Sequence, residues 1–244
     1  MIALLGLILG AIIGSFLAVV LIRWPEGASA VGGRSRCDHC QHPLRPRDMV
    51  PIASFLLLKG RCRDCGGTIA RTHVAMEAGA ALVGAVAFAA HPLPAAFLTA
   101  LFGWWLLLLA AFDLEHFWLP DRLTWPLLAA GLAAAAWLPA GPPLTDRVIG
   151  SLLGFLSLWA IALAYRALRR REGLGGGDPK IFAATGAWLG WVQLPFVLVG
   201  AGLIGLAGLA LMRLRGGAVA ADDRLPLGTL LALAAWPIWL LHAL

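Results

Sequence analysis

Apolar runs of near-bilayer length recur from one end of this chain to the other, at about 1–22, 74–90, 94–112, 124–140, 148–165, 180–194, 196–212 and 226–243. A soluble core would have to hide all of them at once. The hydrocarbon of a membrane solvates each one directly and needs only about 20 apolar residues per crossing. Of the 244 residues, 60% are hydrophobic and 13% charged, whereas soluble domains are about half apolar and a quarter charged. The expected fold class is therefore an all-α polytopic membrane protein with about eight transmembrane helices, embedded in a lipid bilayer.

The charges lie between the runs, and their placement predicts orientation. The first run, Met1 to Ile22, is uncharged, and Ala28-Ser29-Ala30 behind it resembles a signal-cleavage site. A secretory signal, however, carries its basic residues first, and here they begin after the run, at Arg23. The run is expected to be a retained first helix. By the positive-inside rule, the segment 23–73 and the basic stretches Arg166 to Arg171 and Arg213 to Arg215 are cytoplasmic, whereas His91-Pro92-Leu93 and Ala140-Gly141-Pro142-Pro143 lie outside. The net charge of +6 is thus a matter of topology. It follows no amphipathic face or basic domain, and no nucleic-acid partner is expected.

This alternation brings the end of the third run and the start of the sixth to the cytoplasmic face. Each carries an acid. Asp113 directly follows a Trp- and Leu-rich run, and an acid at that depth faces a protein interior or a water-filled cavity and is a functional candidate. Asp121, behind Pro120, reads instead as a helix N-cap, and Glu115 as solvated surface. Asp178 ends the stretch Gly173-Leu174-Gly175-Gly176-Gly177, where two readings stay open. The glycines let a substrate backbone approach closely, or Asp178 caps a helix with Pro179 in its first turn. Nucleotide fingerprints, a phosphate loop, a serine nucleophile elbow and a His-Glu-x-x-His pair are all missing from the sequence, which leaves a paired-carboxylate mechanism.

The segment 23–73 holds every cysteine: Cys37-Asp38-His39-Cys40, then 21 residues, then Cys62-Arg63-Asp64-Cys65. Two such knuckle-like pairs have the spacing of a structural zinc site, and the alternative of two disulfides suits an oxidising compartment, not a cytoplasmic loop. Zinc would also give this small, core-poor loop a reason to fold. Glu77 lies about one turn inside the second run, where a lone charge is costly and an internal partner is expected. Arg61, Arg71 and His73 are the candidates, and the sequence does not choose among them.

In order and spacing, five segments resemble the bacterial type IV prepilin peptidases, also called leader peptidase/N-methyltransferases, over nearly the whole chain. They are Gly10 to Leu17 running on to Arg23-Trp24-Pro25; the two cysteine pairs with Leu58-Lys59-Gly60-Arg61 before the second; Asp113 through Leu119-Pro120-Asp121; Gly175-Gly176-Gly177-Asp178 with Lys180; and Leu225-Pro226-Leu227-Gly228. The resemblance implies three parts: a first transmembrane helix at 1–22, a methyltransferase-associated tetracysteine loop at 23–73 and an aspartyl peptidase core at 74–244. It implies a catalytic dyad of Asp113 and Asp178 at the cytoplasmic face of the bacterial inner membrane. The implied reaction is cleavage after the glycine that ends the leader of a prepilin or pseudopilin whose first helix lies in the membrane beside the enzyme. S-adenosylmethionine-dependent methylation of the new N-terminus would follow, with Gly60 and Arg61 contributing. Carboxyls close enough to share a proton divide the work, one ionised to activate water and one protonated to polarise the scissile carbonyl.

Two other readings compete. A different Gly-x-Gly-Asp intramembrane protease, of the archaeal preflagellin type, would not call for the tetracysteine loop. A proton- or cation-coupled transporter would favour an inverted repeat and acids at the midplane, and the sequence has neither feature.

Overall fold

The computed structural model describes residues 1–32, 34–37, 39–136, 141–170, 173–217 and 225–242. Asp38, Arg171, residues 137–140 and residue 243, named above within motifs or runs, lie outside them. The described residues form α1 (Ile2–Arg23), α2 (Ala53–Leu57), α3 (Arg71–Ala90), α4 (Ala95–His116), α5 (Asp121–Ala133), α6 (Leu144–Arg169), α7 (Asp178–Leu189), α8 (Leu194–Leu214) and α9 (Leu227–His242). Two isolated β-bridges and two short 3₁₀ turns complete the regular structure of these residues, which include no strand. The chain divides into two compact units, Met1–Leu108 and Leu109–Leu244, with the boundary inside α4.

In the first unit, α1 packs antiparallel on α3 because small residues let the two backbones meet. A Cβ at Gly6, Gly10 or Gly14 would run into the backbone of Gly84, Ala80 or Met76. Four-residue spacing puts the three glycines on one stripe, the arrangement by which helices pack closely where no hydrophobic effect drives them together. The opposite face of α1 exposes Leu4, Leu5, Ile8, Ile12 and Phe16. From α4, Trp104 crosses to donate its indole N–H to the Ala80 carbonyl at 2.8 Å.

In the second unit α7 is the central element, packed on α5, α6 and α9. All of its residues except Lys180 are buried. The outer helices expose rows of large apolar side chains, including Leu152, Leu156, Trp159 and Leu163 on α6 and Phe196, Val199, Leu203 and Leu206 on α8. Such surfaces suit lipid, not water.

Each of the eight apolar runs holds a helix, and the helices differ in length. Five helices are long and apolar enough to cross a membrane: α1, α3, α4, α6 and α8, of 20 to 26 residues. Three are shorter: α5 with 13 residues, α7 with 12 and α9 with 16. At 1.5 Å per residue, α7 is about 18 Å long against a hydrocarbon core of about 30 Å. Gly190, at φ +73, ends α7 while the sequence stays apolar through Trp191 and Val192, so hydropathy alone runs past the turn.

Candidate active site and metal centre

Asp113 sits in the last turn of α4. Beyond it Phe117 takes φ +49 and donates its backbone N–H to the Asp113 carbonyl at 2.9 Å, turning the chain towards Leu119 and Pro120. The Asp113 side chain is buried. Its Oδ2 accepts the backbone N–H of Thr229 at 2.8 Å and lies 3.2 Å from the Thr229 hydroxyl. That hydroxyl also lies 2.9 Å from the Ala110 carbonyl, and its single proton can serve only one of the two.

Asp178 is the first residue of α7, and it too is buried. Its Oδ2 accepts the backbone N–H of Gly175 at 2.9 Å, so the glycine stretch folds back on its own acid. Of the two readings left open above, the capping one does not hold: Gly177 occupies the N-cap position.

Leu119 ties the two acids together. A Cβ at Gly177 would come within 2.6 Å of the Leu119 side chain, and one at Gly228 within 2.8 Å. Only glycine lets both backbones close on this one leucine. The same Cβ at Gly228 would stand 3.1 Å from Asp113 Oδ2. Lys180 supplies a further tie, its Nζ lying 2.6 Å from Asp121 Oδ1. This corrects the reading of Asp121. The N-cap is Pro120, Asp121 makes no capping bond, and it forms an ion pair with Lys180 in the first turn of α7. Glu115 is exposed, as expected.

In the first unit, the Sγ atoms of Cys37, Cys40, Cys62 and Cys65 all lie within 4.8 Å of one another, and Cys37 to Cys65 is 3.9 Å. All four thiols are free. Tetrahedral zinc with Zn–S bonds of about 2.3 Å sets sulfurs about 3.8 Å apart, so the cluster has the dimensions of that site. The two halves are built alike. Cys37 donates its N–H to His42 and accepts from Gln41, while Cys62 donates to Gly67 and accepts from Gly66, with Gln41 at φ +58 and Gly66 at φ +71. Backbone N–H groups of Cys65 and then Asp64 pull the Cys62 thiol down to about 7, while burial and the neighbouring thiols push Cys65 up to about 11. His39 joins the halves, its Nε2 lying 3.2 Å from the Thr68 carbonyl, and Arg63 clasps Asp48 at 2.8 Å.

Beside the cluster lies a cavity of about 170 Å³, whose wall includes Ser15, Arg23, Phe55, Cys62, His73 and Glu77. Gly60 and Arg61 are not part of that wall. Gly60 turns the chain at φ +68 against the Phe55 ring, and Arg61 is exposed. The partner of Glu77 is none of the three cations considered: its Oε2 accepts the backbone N–H of Ile52 at 2.6 Å.

Sequence reasoning missed two residues. Thr229, which holds Asp113, directly follows Leu225-Pro226-Leu227-Gly228, a motif noted above without a role. Arg147 is wholly buried near the start of α6, where it donates to the carbonyls of Pro142 and Gly131 at 2.8 Å and Ala187 at 3.4 Å, with its guanidinium 5.8 Å from the Trp239 ring centre. A lone arginine beside a loop assigned to the outer side was the available signal.

Residues 8–91 match the bacterial peptidase A24 N-terminal domain, and residues 100–210 match the type IV leader peptidase family. The chain is 40% identical over 205 residues to a prepilin leader peptidase/N-methyltransferase of Aeromonas salmonicida strain A449, covering 83% of this chain and 69% of the relative. A protein of the same name from Burkholderia pseudomallei strain 1026b is 38% identical over 256 residues, covering 93% and 81%. One from Pseudomonas aeruginosa is 33% identical over 255 residues, covering 94% and 87%. No solved structure matches the chain. The matched regions take in the cysteine pairs, Asp113 and Asp178, and with relatives this similar over most of their length, the chain belongs to the type IV leader peptidase family.

Proposed function

We propose that this protein is an inner-membrane aspartic endopeptidase that removes the leader from prepilins or type II secretion pseudopilins after a glycine and then N-methylates the new N-terminus. The observation that best supports the peptidase half is the meeting of three motif segments around two buried carboxylates, with Leu119 wedged against Gly177 and Gly228. Asp113 and Asp178 form the dyad. Each has one oxygen engaged by a backbone N–H, from Thr229 and Gly175 respectively, which fixes the carboxyl planes and leaves the other oxygen of each for water and the scissile carbonyl. One carboxylate takes the proton of the attacking water while the partner carboxyl donates to the carbonyl oxygen, and the roles reverse as the amine leaves. The short α7 bears on access. A helix of about 18 Å cannot carry both of its ends to the surfaces of a 30 Å layer, so a substrate helix can meet Asp178 without leaving the membrane. The basic loops favour a cytoplasmic orientation of this end.

Zinc fits Cys37, Cys40, Cys62 and Cys65 as a closed structural site. S-adenosylmethionine, when bound, supplies an electrophilic methyl group on a sulfonium. The adjoining cavity has acids and arginines in its wall, Glu77 and Arg23 among them, which suits a ligand bearing both charges, and its volume suits one end of such a ligand. Purified protein given a glycine-ended prepilin and S-adenosylmethionine should yield a mature chain that mass spectrometry finds one methyl group heavier. An uncleaved substrate would overturn this reading. Cleavage without methylation would reduce it to a peptidase.

A further inference from the structure

Glu77 is a buried carboxylate without a cation. Among the described residues its only hydrogen bond is the one Oε2 accepts from Ile52 N–H, no Lys, Arg or His lies within ion-pair distance, and Oε1 has no partner. Oε1 is not among the fully buried atoms, so it opens onto the cavity, where a cationic donor can reach it. The Ile52 bond also demands something of the backbone, since Ile52 takes φ +61, where β-branched residues are rarely found. Such strain is retained where it fixes a group for function. The cavity wall carries an apolar stretch of Val19, Ile22, Leu44, Met49, Phe55 and Leu58, and beside it Arg23, Arg36, His39, His73 and two further acids, Asp48 and Asp64, which pair with Arg63 and Arg45. Among the described residues Glu77 is the one acid of the wall without an ion pair, and with the apolar stretch beside it in a recess of about 170 Å³ it suits a cation attached to an apolar body.

Resting on the methyltransferase reading above, we infer that Glu77 is the ammonium-binding residue of this cavity, its free oxygen receiving a primary ammonium group while the apolar wall takes the attached side chain. Two ligands of that reaction carry such a group: the new N-terminus of the cleaved chain and the methionyl end of S-adenosylmethionine. Gly60 and Arg61, outside the cavity wall, have no part in this contact.

The test is calorimetry on the whole protein in detergent, comparing wild type with Glu77→Gln. Gln keeps an oxygen for the Ile52 N–H and loses only the charge. Zinc content and thermal unfolding report whether the fold is intact, and Glu77→Asp, which keeps the charge but withdraws it, serves as a second variant. The probes are a peptide matching the mature N-terminus, the same peptide N-acetylated, and S-adenosylmethionine. Wild type should bind the free peptide at least about tenfold more tightly than the acetylated one, a difference Glu77→Gln should abolish. If Glu77→Gln instead weakens S-adenosylmethionine about tenfold and leaves the peptide preference intact, the ammonium is the methionyl one and the assignment of Glu77 stands. If the variant changes neither, or if wild type shows no preference for the free peptide and no affinity for S-adenosylmethionine, the inference is overturned. Ammonium-dependent binding by a wild type that methylates nothing would contradict the methyltransferase reading alone.

Discussion

Thr229 touches the centre of the proposed chemistry through two atoms that can be separated by substitution. Its backbone N–H holds Asp113 whatever the side chain, while the hydroxyl spans Ala110 and Asp113. Thr229→Val keeps shape and backbone but leaves Asp113 without its hydroxyl neighbour, so kcat for leader removal should fall about tenfold with little change in KM. Thr229→Ser should restore it. A single-turnover assay of the two variants checks this, and equal rates would reduce the threonine to packing. The acids themselves were legible in sequence because an ionisable residue at an apolar boundary stands out against its neighbours. The threonine was not, since a hydroxyl costs little at such a site and its partner lies 116 positions away. Asp121 shows the opposite failure. An acid behind a proline suggests a cap, and only the fold brings Lys180 within 2.6 Å of it. As this pair is largely solvent-exposed on the Asp121 side, Asp121→Asn should retain most cleavage activity.

Arg147 and α7 show how short helices can hold charge at depth. Gly131 and Ala187 lie in the last turns of α5 and α7, where carbonyls have no intrahelical donor, and each helix C-terminus carries about half a unit of negative charge. Two such ends offset about one positive charge, so Arg147 needs no carboxylate, and among the described residues it has none within ion-pair distance. The positive N-terminus of the same α7 carries Asp178. Arg147→Met fills the volume but strands these carbonyls, and should destabilise the second unit by about 2–4 kcal/mol, read as a lower Tm in detergent. On the other unit, Gly10→Leu would force α1 off the Ala80 backbone at a cost of about 1–3 kcal/mol or more. Gly208→Leu on α8, where a Cβ meets nothing within 4 Å, should leave Tm unchanged and serves as the matched control. Apolar runs announced both kinds of helix in the sequence. They did not distinguish the spanning α8 from the enclosed α7, because a helix buried in protein and one bathed in lipid are equally apolar.

Across the whole molecule, the two proposed chemistries belong to separate units: the cysteines and Glu77 within Met1–Leu108, and Asp113, Asp178 and Thr229 within Leu109–Leu244. Replacing Cys37 and Cys62 by Ser should therefore remove about one zinc per chain and with it methylation, while leader cleavage persists. Elemental analysis and mass spectrometry of the product read the two effects independently. The division was visible in the sequence as a polar, cysteine-bearing loop followed by uninterrupted apolar runs. The cavity beside the cysteines was not, since its wall draws on residues from Ser15 to Glu77 that only the fold assembles. The central claim is that two carboxyls act as one catalytic unit, and the most direct measurement is leader cleavage by Asp113→Asn and Asp178→Asn beside wild type, at equal amounts of correctly inserted protein. An amide keeps the backbone N–H contact and the volume but can neither take nor give the proton, so each single variant should lose at least about 10³-fold in rate, and the double variant hardly more. Cleavage by either single variant at near the wild-type rate would contradict the dyad.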